Sequence, residues 1–128
     1  MSNADPATSR FPFVTQLPRY DGCGVAVLQM LTGKSYAELA AAIAWRDPAI
    51  HHMTWDLMRR ALADSGMQFG AVREAKSWSD VEGVSVVHVQ PDHFTLYDAS
   101  TGEIYDPGKA EGPSREKTSV PLSFLPVY

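Results

Sequence analysis

The sequence predicts an α+β domain. Amphipathic or wholly apolar helical patterns fill its first half. After Gly66 the pattern changes to β-branched, alternating segments separated by Pro and Gly turns. A length of 128 residues, with 45% hydrophobic and 20% charged residues, fits one domain around one core. Residues 1–10 are expected to form a flexible N-terminus and residues 11–128 the single folded unit.

The elements follow in order. Pro12 and Pro18 mark an extended, irregular opening. Gly22–Leu31 is apolar on nearly every side, follows Asp21 and precedes Gly33. It reads as a buried helix capped by Asp21 and ended by a glycine. Ser35 and Glu38 form a capping-box pattern ahead of a second helix bearing Leu39, Ala40, Ile43 and Ala44. Thr54 caps a third, in which Trp55, Met58, Ala61 and Leu62 share a stripe that stops at Gly66. Residues 67–73 are a candidate strand. Val84–Gln90 is rich in β-branched residues, and His93–Asp98 alternates. Ala99–Gly102 reads as a hairpin turn leading back through Glu103–Asp106. Val120–Val127 reads as a last strand, which Pro121 and Pro126 push towards a sheet edge.

Bulk properties exclude several classes of function. A formal net charge of −4 leaves no basic footprint for nucleic acid. No apolar run approaches a membrane span, and residues 1–10 carry no apolar signal core. A single cysteine excludes an internal disulfide and multi-cysteine metal sites, and it suits a reducing, cytoplasmic compartment. The histidine spacings match no metal-ligand pattern, so neither a metal nor another cofactor is expected.

That cysteine, Cys23, falls in the first turn of the first predicted helix. Unpaired N–H groups and the positive end of the helix dipole favour a thiolate there, and the same N–H groups suit an oxyanion. Gly22 and Gly24 would leave room for a substrate backbone. The alternative is a buried helical cysteine packed like alanine. A thiolate nucleophile needs a proton acceptor and a group that orients it. His51 and His52 fall in a loop expected to be solvated, and His88 lies inside an apolar strand. His93 opens a strand instead. If Ala99–Gly102 is the loop, Asp98 faces Glu103 and Asp106 falls opposite Thr95. Asp106 is then a diagonal neighbour of His93 at roughly 7–8 Å between backbones, within side-chain reach. Asp92 and Asp98 would point away from His93. Asp106 could otherwise be a simple turn residue before Pro107 and Gly108.

The order Gln16-(x)6-Cys23-Gly24-Val25-Ala26-(x)3-Met30-Leu31, then His93-Phe94-(x)11-Asp106-Pro107, resembles the papain-like cysteine peptidases. It is most similar to the double-glycine leader peptidases that process bacteriocin precursors and to their stand-alone relatives. The resemblance implies a papain-like fold, with Cys23 as nucleophile, His93 as general base and acid, and Asp106 as orienter. It implies Gln16 as an oxyanion donor. The family has five residues between that glutamine and the cysteine where this chain has six; either a bulge around Tyr20–Gly22 absorbs the difference or Gln16 is not the donor. The implied function is hydrolysis of a peptide or isopeptide bond in a peptide or protein substrate. The alternatives are a silent peptide-binding module of the same fold, a transglutaminase- or deamidase-type acyl transferase, and an unrelated α+β interaction protein.

Overall fold

A computed structural model describes residues 9–128; the expectation of a flexible terminus falls, for residues 1–8, outside the described residues. Three helices, α1 (Cys23–Thr32), α2 (Tyr36–Ala42) and α3 (Trp55–Asp64), precede five strands. The strands are β1 (Arg73–Glu74), β2 (Val84–Val89), β3 (His93–Asp98), β4 (Glu103–Tyr105) and β5 (Pro121–Val127), with one 3-10 turn at Trp78–Asp80. They form one antiparallel sheet in the order β1-β5-β2-β3-β4. The α+β reading holds.

Local sequence accounts for most boundaries. The Ser35 hydroxyl accepts the Glu38 N–H at the start of α2, and Thr54 accepts the Leu57 N–H at the start of α3. Gly33 closes α1 at φ 74°, a left-handed conformation that costs glycine little. Both faces of the sheet are covered. Val86, Phe94, Leu96, Tyr105 and Leu125 pack with α1 and α3 in the main core. Val87, Val89, Tyr97, Ile104 and Phe124 meet Ala75, Trp78 and Val81 on the other face. This explains why β2 is apolar on consecutive residues rather than on alternate ones.

Two expectations change. The predicted strand at 67–73 is reduced to an isolated bridge at Phe69 and the two-residue β1. The last strand lies one position in from the sheet edge. Its neighbour β1 pairs only with Ser123 and Phe124, so Pro121 and Pro126 both stand outside that pairing.

The glycines beside Cys23 also have a different use from the one expected. A Cβ on Gly24 would stand 2.5 Å from both Cβ and Cγ of Met53, and one on Gly22 would meet the Tyr36 ring at 3.2 Å. Their small size admits the protein's own side chains rather than a substrate backbone. Gly24→Ala should therefore lower stability by about 1–3 kcal/mol through overpacking, read from urea unfolding. A variant as stable as wild type would contradict this packing.

Candidate active site

Cys23 is the first residue of α1 and half-buried. Gly22 occupies the N-cap and supplies no side-chain cap; the expected cap, Asp21, is engaged elsewhere. Its carboxylate accepts the His51 backbone N–H at 2.8 Å and two Arg19 guanidinium N–H bonds at 3.1 Å each. Those contacts, with His51 the first cause, hold the Asp21 carboxyl below its ordinary range. The first helical bond runs from the Ala26 N–H to the Gly22 carbonyl, so the N–H groups of Cys23, Gly24 and Val25 lie ahead of the ladder.

His93 is the first residue of β3, and α1 packs on this strand. The β3–β4 hairpin pairs Asp98 with Glu103, Tyr97 with Ile104 and Leu96 with Tyr105. Carried one step further, that register sets Asp106 opposite Thr95 and diagonal to His93. The ring Nε2–H donates to Asp106 Oδ1 at 2.6 Å, a short charge-assisted bond. The same carboxylate oxygen accepts the Gly108 N–H at 2.9 Å.

Electrostatics favour an ionised pair. Burial is the largest single effect on the His93 pKa and lowers it, but the hydrogen bond to Asp106 opposes it and, joined by the effects that follow, prevails. Hydrogen bonding to Cys23 and the charges of both partners add to the rise, which reaches about 9. With Nε2 committed to Asp106, Nδ1 is the nitrogen left for the sulfur. For Asp106, burial pushes the carboxyl up, yet the His93 bond and charge, the Gly108 N–H and the Lys109 charge bring it below its ordinary value.

Gln16 lies next to Gly22: a Cβ there would be 3.6 Å from its own Cβ. One side-chain amide hydrogen goes to the Arg19 carbonyl at 3.0 Å, leaving one to offer. Six residues separate Gln16 from Cys23, and the first of them fold back in a turn over residues 16–19. This turn has cis Pro18 at its third position and closes through an Arg19 N–H to Gln16 carbonyl bond of 3.0 Å.

The other histidines all have polar partners; His52 is exposed, as expected, whereas His51 and His88 are half-buried. Arg19 Nη2 lies 3.2 Å from His51 Nδ1, and because a guanidinium only donates, Nδ1 is the acceptor. Tyr36 O–H donates to the same nitrogen at 2.7 Å, and the imidazole stacks on Trp45. Burial, helped by the charges of Asp21 and Cys23, raises the Tyr36 pKa above its ordinary value, so the hydroxyl remains a donor. Asp92 does point away from His93, and it accepts from both His52 and His88 at 2.7 Å. Asp98 is buried at the far end of β3, where it accepts from Ser100. Sequence reasoning missed Thr15, Arg19, Tyr36 and Gly108. Only the glycine directly after Asp106-Pro107 carried a local signal.

Among the described residues no group of three or more His, Cys, Asp or Glu side chains is arranged to hold a metal ion, and no helix is long and apolar enough to cross a membrane. No family model, curated protein or solved structure matches the chain. The chemistry argued for it therefore rests on the arrangement of Cys23, His93 and Asp106.

This arrangement makes stability depend on pH with a definite sign. His93 gains affinity for its proton on folding, so its contribution is complete below its unfolded value of about 6.5 and is lost as pH rises through about 9. Asp106 loses affinity, so its contribution is present above about 3.8 and is lost as pH falls further. The stability difference between wild type and Asp106→Asn in urea should be flat between about pH 4 and 6.5 and shrink on either side. A difference independent of pH would contradict the ion pair.

Proposed function

We propose that the protein is a cysteine-dependent acyl hydrolase of papain-like type, cleaving a peptide or isopeptide bond with Cys23 as nucleophile. The observation that carries this reading is the His93 Nε2–Asp106 bond of 2.6 Å, with the helix-start thiol of Cys23 a further electrostatic partner of the same ring. A base whose far nitrogen is held by a carboxylate has its tautomer and orientation fixed. Its near nitrogen is then available to take and return a proton.

The proposed steps balance as follows. The Cys23 thiol proton resides on His93 Nδ1, giving thiolate and imidazolium. Sulfur attacks the carbonyl carbon, and the new oxyanion takes donors from the uncapped N–H groups at the start of α1 and the remaining Gln16 amide hydrogen. Collapse breaks the C–N bond, and the amine leaves with the proton from His93. Water then attacks the thioester while His93 takes its proton. Release of the carboxylic acid regenerates the thiolate and imidazolium. An amine in place of water would make the same site an acyl transferase, and pocket shape decides between them.

A second reading has one observation in its favour. Because one Gln16 amide hydrogen is already committed to Arg19, the oxyanion hole is partly occupied, as a silent peptide-binding module of the same fold would tolerate. Specific peptide binding that persists in Cys23→Ala, with no turnover by wild type, would favour it.

At pH 6.5 an ordinary thiol is about 1% thiolate. Cys23 should therefore react with iodoacetamide about 10- to 100-fold faster than free cysteine, and His93→Ala should remove most of that advantage. Alkylation at the free-thiol rate, unchanged in His93→Ala, would sink the proposal. Gln16→Ala should slow acetylation of Cys23 by 4-nitrophenyl acetate about 10- to 100-fold. An unchanged acetylation rate would remove Gln16 from the oxyanion hole.

A further inference from the structure

The segment from Ser9 to Gln16 runs beside β4 and the loop that follows it. Ser9 Oγ donates to Glu103 at 2.9 Å, and the Arg10 and Phe11 N–H groups donate to the Tyr105 hydroxyl at 3.1 and 3.4 Å. At the other end, Thr15 Oγ1–H and the Gln16 N–H converge on one acceptor, the Pro107 carbonyl, at 2.9 Å each. Pro107 stands between Asp106, which holds His93, and Gly108, whose N–H holds Asp106. A Cβ on Gly108 would come within 3.3 Å of the His93 ring, so this loop lies directly against the base. The Thr15 oxygen also accepts the Leu17 N–H at 3.1 Å. One hydroxyl therefore ties the residues on both sides of Gln16 to the loop that orients His93.

We infer that Thr15 is a positioning residue: its hydroxyl fixes Gln16, through the Pro107 carbonyl, in register with the His93–Asp106 pair. The inference rests on the acyl-transfer reading and extends it. Thr15 is exposed and its hydroxyl is committed to Pro107 and Leu17, so it acts through Gln16 and not on the reacting atoms. Two probes separate its role from that of the Cys23–His93 pair. Iodoacetamide alkylation forms a C–S bond and expels iodide without an oxyanion. Acetylation by 4-nitrophenyl acetate forms a C–S bond, passes through an oxyanion and expels nitrophenolate. Only the second reaction needs Gln16 in place.

In the full chain, Thr15→Val should slow acetylation about tenfold and leave alkylation within about twofold of wild type. Thr15→Ser, which keeps the hydroxyl, should restore acetylation. Equal thermal midpoints for the three proteins would confirm that they are compared as folded species. Acetylation at the wild-type rate in Thr15→Val, equal slowing of both reactions, or failure of Thr15→Ser to rescue would each overturn the inference while leaving the hydrolase reading standing. Wild type that reacts with neither probe faster than free cysteine would overturn both.

Discussion

The register of the β3–β4 hairpin governs the candidate site. Asp98 faces Glu103, and each step from there places the next residue of β4 on one fixed face. A slip of one residue would turn Asp106 away from His93 and leave an unpaired imidazole at the start of β3. Burial also turns Phe94, Leu96 and Tyr105 into the core under α1, so the hydrophobic pattern that fixes the register fixes the His93–Asp106 pair as well. Packing of the sheet thus sets the register that brings Asp106 to His93, and the Gly108 N–H then holds the carboxylate oxygen that makes the 2.6 Å bond.

The start of α1 follows a different logic. A carboxylate one residue before an N-cap glycine would ordinarily compete for the first N–H groups, and its charge would oppose a thiolate. Here Arg19 and the His51 backbone take up the Asp21 carboxylate. Arg19 reaches His51 as well, and Tyr36 completes the cluster. Residues 51–53 consequently brace two elements: His51 meets Asp21, Met53 fills the space over Gly24, and His52 reaches Asp92 beside His93. Cys23 and His93 are held on parts of the chain that this one loop ties together.

Much of this was legible in the sequence, for identifiable reasons. Helix caps at Ser35 and Thr54 and the stop at Gly33 are local chemistry, and the hairpin register follows from one short turn and a period of two. The position of Asp106 beside His93 therefore follows from the sequence pattern itself. What could not be read were contacts between segments far apart in the chain. Asp21 looked like a cap because its competitors, the His51 N–H and the Arg19 side chain, are brought to it only by the tertiary fold. Gly22 and Gly24 looked like open space because nothing local indicates that Tyr36 and Met53 fill it. The Pro107 carbonyl that joins Thr15 to the orienting loop is likewise a backbone group, and a sequence pattern does not show which donors will find it.

The coupling of His93 to both Cys23 and Asp106 is the central claim, and the ring itself reports it. Following the His93 imidazole signals by NMR through a pH titration tests it most directly. The account predicts a ring that stays protonated until pH rises through about 9, with a lower midpoint in both Cys23→Ala and Asp106→Asn. A wild-type midpoint near the ordinary histidine value of about 6.5, or one unmoved by either substitution, would contradict it.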